Sequence, residues 1–239
     1  MAYILYDPTI FNIQLNPFDV YYLSVGDNIF KSQLNSVSPI IRWATLNGLE
    51  NIMFMYKAAE IGNVETVKYL HEKGLLWNEE TCARAAAKGH LNTLKYLHEN
   101  GCSWNESTCN QAVANNHLDC LAYLYQEGCP WNKSTCATAA ANGHLACLVY
   151  LNRKDCPWNY LTCSFAAIGG HLNCLTYAHE NGCPWDDYTI LFAVQNGHLD
   201  CVIYAVENGC PIDLEDIRIY YMSRSYPEIT KYLYSLRDT

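Results

Sequence analysis

The chain is patterned on two nested periods. Within residues 131–157, apolar Leu145, Leu148, Tyr150 and Leu151 recur at the steps that place them on one side of a helix. A small-residue stretch around Ala139-Ala140 precedes them, and Asn142-Gly143 separates the two. Glycine there ends a helix because it tolerates the left-handed cap conformation. Upstream, Asn132 or Thr135 can cap the first helix by accepting orphan backbone N–H bonds. The pattern predicts helix, turn, helix, with Asp155-Cys156-Pro157-Trp158 leading onward.

The longer period repeats that unit. Trp77, Trp104, Trp131, Trp158 and Trp185 stand 27 residues apart. Each is followed at fixed distance by Gly89-His90-Leu91, Asn116-His117-Leu118, Gly143-His144-Leu145, Gly170-His171-Leu172 or Gly197-His198-Leu199. The phase extends backwards through Ala58-Ala59, Gly62 and Tyr69-Leu70. It extends forwards through Ile212 and, after one inserted residue, Tyr232-Leu233. The units are 50–76, 77–103, 104–130, 131–157, 158–184, 185–211 and 212–239, the outer two degenerate as solenoid end caps tend to be. An all-α solenoid of stacked helix-turn-helix units follows. The alanine pairs let neighbouring helices approach closely, and the Trp is expected to cover the seam between units.

From the Ala-Ala pair through Gly-His to the second helix and its terminal Gly, these residues resemble the ankyrin repeat. The usual repeat has about 33 residues and opens Thr-Pro-Leu-His; here the unit opens Trp-Asn-x-x-Thr-Cys. The missing residues fall where that family's β-hairpin projects, so the resemblance implies a hairpin reduced to a tight Cys-Pro-Trp turn. The Gly-Cys-Pro-Trp-Asn and Asn-Gly-His-Leu-x-Cys-Leu wording is similar to ankyrin-like arrays of giant DNA viruses of amoebae. The resemblance covers residues 50–239. It implies a non-catalytic module that binds a protein partner, with the first helices lining the gripping groove.

Residues 1–49 lie outside the array and are expected to form a helical segment capping the first unit. Leu15-Asn16-Pro17-Phe18-Asp19-Val20-Tyr21-Tyr22-Leu23-Ser24 weakly resembles an F-box, with Leu15, Pro17, Val20 and Leu23 at its apolar positions. That resemblance implies a second role, a substrate-recruiting adaptor that docks ubiquitin-ligase core subunits. Its leading Leu-Pro is split by Asn16.

Charge and composition narrow the function. Lys+Arg number 15 against Asp+Glu 24, a net −9, which argues against a nucleic-acid groove. No apolar run approaches the ~20 residues of a membrane span. Met1–Gln14 carries no positive charge, so a secretion signal is not expected and a cytoplasmic location is. The glycosylation patterns Asn105-Glu106-Ser107 and Asn132-Lys133-Ser134 then have no role.

The 13 cysteines occupy three columns of the repeat. Cys102, Cys129, Cys156, Cys183 and Cys210 stand two before the Trp position. Cys82, Cys109, Cys136 and Cys163 stand five after it, and Cys120, Cys147, Cys174 and Cys201 sixteen after it. Stacked helices sit ~8–10 Å apart, so one column cannot direct two thiols at one metal, and core packing is the expected role. His90, His117, His144, His171 and His198 share one position, where an imidazole can bond free backbone groups of the turn. His71, His98 and His179 share another. A catalytic histidine would be unique and oriented by a partner. No enzyme, metal site or cofactor is expected.

Function should sit where the units differ. Positions 2, 3, 6, 7 and 10 after the Trp vary, and their spacing makes one face of the first helix. Early units place Glu79, Glu80, Arg84, Asn110, Gln111, Lys133 and Thr138 there; later units place Tyr160, Leu161, Phe165, Ile168, Tyr188, Leu191 and Phe192. An exposed apolar patch of this kind marks a contact site. Partner binding is expected from Arg84, Gln111 and Thr138 through to the aromatic cluster. Alternatively, the cluster pairs two copies of the chain, or packs against Tyr220, Tyr221, Met222 and Tyr226 of the last unit.

Overall fold

The computed structural model describes residues 52–212 and 226–236, which contain thirteen helices and, among the described residues, no strand. They come in pairs: α1 (Ile52–Ile61) and α2 (Val64–Glu72), α3 (Glu79–Ala87) and α4 (Leu91–Glu99), α5 (Glu106–Ala114) and α6 (Leu118–Gln126), α7 (Lys133–Ala141) and α8 (Leu145–Arg153), α9 (Tyr160–Ile168) and α10 (Leu172–Glu180), α11 (Asp187–Asn196) and α12 (Leu199–Glu207). A further helix, α13 (Pro227–Ser235), follows. First helices stack on first helices and second on second, an all-α solenoid as the periodicity predicts.

Asparagine opens the first helices α3, α5, α7 and α9. Asn105, Asn132 and Asn159 hold extended backbone, and their side chains accept from the backbone N–H of Ser107, Ser134 and Leu161 at 2.9, 2.8 and 3.2 Å. Thr81 and Thr135 reach back to the N–H of Asn78 and Asn132 at 3.4 and 3.3 Å, so Asn and Thr act together as a capping box. The two glycosylation-pattern asparagines are therefore helix caps. Each first helix ends at a left-handed residue, Gly143 at φ 69° in one unit and Asn116 at φ 60° in another.

The interior is narrow and built from small residues on the first helices. Ala85, Ala86, Ala112, Ala139, Ala140, Ala166, Ala167 and Ala193 are fully buried, as are Leu94, Leu97, Leu121, Leu124, Leu148, Leu151 and Leu175 from the second helices. Small side chains, with Val113 and Val194 at two of the same positions, let adjacent first helices pack closely.

The histidines at the start of the second helices bind a different partner from the one expected. They bond across the seam rather than within their own turn. Nε2 of His90, His144 and His198 donates to the carbonyls of Glu60, Ala114 and Ile168, at 3.0, 3.1 and 3.0 Å. Those oxygens end the first helix of the preceding unit and lack intrahelical donors. The rings of His90, His117, His171 and His198 fill the space that a Cβ on Gly62, Gly89, Gly143 or Gly170 would need, 2.4–2.6 Å from it. Tyr226 takes the corresponding place over Gly197.

A second inter-unit device lies on the second helices. His98 stacks on Trp104 of the next unit at 3.7 Å, and its Nδ1 meets Tyr123 Oη at 3.0 Å. His71 with Trp77 and Tyr96, and His179 with Trp185 and Tyr204, repeat the arrangement. Tyr125 stacks on Trp131 at the same position, and Asn152 donates to Tyr177 Oη at 3.0 Å.

Replacing His198 with alanine removes a donor from a buried carbonyl and opens a gap over Gly170. We expect His198→Ala to lower the unfolding free energy by about 1–3 kcal/mol in urea, against less than about 0.5 for exposed Lys133→Ala. Equal stability of the two variants would contradict the seam role.

Candidate protein-binding site

The variable face is narrower than five positions. Ala83, Ala137 and Ser164, six after the Trp, are buried against neighbouring helices, and Leu191 in the same position packs on the core. Positions 2, 3, 7 and 10 carry the accessible surface.

In the early units that surface is largely engaged with itself. Arg84 pairs with Glu80 at 2.8 Å and Glu60 at 3.8 Å, and its guanidinium lies 4.9 Å from the Tyr56 ring centre. Asn110 donates to Ser134 Oγ at 3.3 Å, and Thr138 Oγ1 donates to the Ser134 carbonyl at 2.8 Å. Gln111 and Lys133 are exposed.

In α9 and α11 the same face is apolar and open. Tyr160 is 42% exposed and Tyr188 50%, while Leu161, Phe165, Ile168 and Phe192 are half-buried. Tyr188 and Phe192 lie ring to ring at 5.7 Å. Neither Phe165 nor Phe192 enters the core. Tyr226, a possible cover for the cluster, rests over Gly197; Tyr220, Tyr221 and Met222 lie outside the described residues. So do Leu15, Pro17, Val20 and Leu23.

The cysteines line the interior. All 13 are free and buried. The thiols of Cys102, Cys129, Cys156, Cys183 and Cys210 donate to the carbonyls of Asn78, Asn105, Asn132, Asn159 and Asp186, at 3.2–3.5 Å, closing each unit onto its first helix cap. Two columns meet: Cys82, Cys109, Cys136 and Cys163 hydrogen-bond Cys102, Cys129, Cys156 and Cys183, which with burial pushes the first four thiols far up. Burial pushes Cys120, Cys147, Cys174 and Cys201 up to about 11, and Cys210, which faces Ile190 instead of a thiol, up to about 12. Cys183 alone moves down, held by the Cys163 thiol and then by Thr162. Among the described residues no three His, Cys, Asp or Glu side chains converge as a metal site.

What the described residues present is a side-chain surface on a stack of helices. A family model described as "Ankyrin repeats (many copies)" matches residues 82–124. No curated protein matches the chain. The crystal structure of the human ASB11 ankyrin repeat domain aligns over 75% of this chain and 95% of that one, with a TM-score of 0.62 and 17% identity. The fold is the ankyrin-repeat fold. In this array the unit is 27 residues long. Between Glu99 and Glu106 only the turn Asn100-Gly101-Cys102-Ser103-Trp104-Asn105 remains, with no strand.

The raised thiols predict a loss of stability at alkaline pH. A thiol with a folded pKa above its unfolded value stabilises fully below the unfolded value, ~8.5, and that contribution is lost as pH climbs toward the folded value. For the four thiols at about 11, the loss is roughly 1.4 kcal/mol per pH unit each. We expect urea midpoints to fall steeply between about pH 9 and pH 11. A flat profile across that window would refute buried neutral thiols.

Proposed function

We propose that the chain is a non-catalytic protein-binding module whose partner docks on the first-helix face of α9 and α11. The observation that carries this reading is an aromatic surface of exposed Tyr160 and Tyr188 with half-buried Phe165 and Phe192, on a face that is polar and self-paired in α3 to α7. Burying such side chains on a partner is favourable by about 25 cal/mol per Å² before the costs of association. Aromatic residues also lose little rotamer entropy on docking, which suits them as anchors. Arg84, Gln111 and Thr138 extend the contact toward the N-terminal units, with Leu161 and Leu191 supporting the aromatic rings. No helix among the described residues is long and apolar enough to cross a membrane.

The repeat wording supports a giant-virus source, which would place the module in host cytoplasm. A further role as a ligase adaptor is supported only by the residues around Leu15 and Pro17. Pulldown of ligase core subunits that disappears on replacing Leu15, Pro17 and Leu23 is the expected result for that role; unchanged or absent retention overturns it.

For the main reading, affinity capture from the native host should recover partners with the wild-type chain and lose them with Phe165→Ser plus Phe192→Ser. Circular dichroism of the variant checks that it stays folded. Equal partner lists would remove the face as the site.

A further inference from the structure

The partner-binding half of the array has an unusual charge pattern. From Asp155 through Ile217 the chain contains no Lys or Arg. The two units spanning 158–211 carry Glu180, Asp186, Asp187, Asp200 and Glu207. By contrast, Lys57, Lys68, Lys73, Arg84, Lys88, Lys95, Lys133, Arg153 and Lys154 all lie in the preceding units. All four ion pairs among the described residues, too, are confined to those earlier units.

The acidity reaches the patch itself. Asp187 is exposed on the first turn of α11, next to Tyr188, and Asp186 caps the same helix. Burial and the neighbouring Asp187 charge push the Asp186 carboxyl up. Ser164 Oγ lies 3.4 Å from its Oδ1, the one side-chain donor shown there, and it is neutral. Backbone N–H groups at the helix start meet these carboxylates but no side-chain cation does, so an apolar face beside them favours an incoming cation, by direct attraction and by relief of that repulsion.

Resting on the docking site proposed above, we infer that the partner segment is basic and amphipathic: aliphatic or aromatic anchors for the α9–α11 face, flanked by Lys or Arg that meet Asp187 and the surrounding negative field. Two neighbouring helices at ~10 Å spacing present a patch some ~20 Å long, which matches about six residues of extended chain or a few turns of helix. A second copy of this chain is a poor occupant. A two-fold pairing would bring the same acidic, cation-free surface against itself. Nucleic acids and anionic lipid surfaces are repelled for the same reason.

A random-peptide phage selection against the full chain tests the inference. The enriched pool is expected to be net positive, with Leu, Ile, Phe or Trp anchors. Binding of a representative peptide should fall at least tenfold with Phe165→Ser plus Phe192→Ser, and severalfold with Asp187→Lys, a substitution at an exposed position. It should also weaken as salt rises from roughly 0.05 M to roughly 0.5 M. A pool that depends on Phe165 and Phe192 but is neutral or acidic, or is indifferent to Asp187→Lys and salt, overturns the inference and leaves the docking site standing. A pool indifferent to the Phe variants, or no pool, overturns both. Light scattering that shows a dimer dispersed by Phe165→Ser plus Phe192→Ser would assign the face to a second copy instead.

Discussion

The structure depends on how one unit satisfies the next. A helix of nine residues leaves orphan carbonyls at its end and is marginal alone. In this array those oxygens are met by an imidazole delivered from the following unit, as at Ile168 with His198. In four of the seams the ring lies on the bare backbone of a glycine, where a Cβ would collide with it. The left-handed turn and the flat seat for the ring are one requirement, met by one residue. The His-Trp-Tyr contacts on the second helices repeat the logic with side chains alone. Each unit thus becomes stable only when a neighbour is present, the general condition of solenoid proteins.

That condition accounts for the composition. Positions that serve the seam or the interior are mostly held by Ala, Cys, Leu, Thr, His, Gly and Trp, which leaves few positions for charge. The thiols belong to this class. They donate to cap carbonyls, pair with one another and stay neutral, so their number follows the number of units. What remains accessible is a strip of four positions on each first helix. In the early units this strip is occupied with its own ion pairs and hydrogen bonds; in α9 and α11 it is aromatic and open.

The helix pairs, their caps and the solenoid stacking were legible because each rests on short-range spacing repeated five times over. The buried identity of the cysteines was legible for the same reason. The partner of the first histidine column was not. His198 and Ile168 are 30 residues apart, and only the stacking geometry tells that the ring turns backwards across the seam. The second histidine column was missed as a seam device. Its signal was available: His71, His98 and His179 each precede by 25 residues a tyrosine that their Nδ1 meets. The candidate face was legible in outline but drawn too wide. Helical spacing places position 6 beside position 2, yet the close approach of neighbouring first helices buries Ala83, Ala137 and Ser164. Position alone puts Arg84 on this face; that Glu60, from the preceding unit, and Glu80 hold it there is visible only in the stacked structure.

The central claim is that contact with a partner is made by the aromatic strip of α9 and α11 and not by the second helices. Site-specific photocrosslinking tests it most directly. A benzophenone amino acid placed at Tyr188 or Tyr160 of the full chain should yield covalent adducts with a partner in native host extract. The same group at Thr176 or Ile203, on the second helices, should yield none. Adducts from Thr176 or Ile203 with none from Tyr160 or Tyr188 would contradict the account.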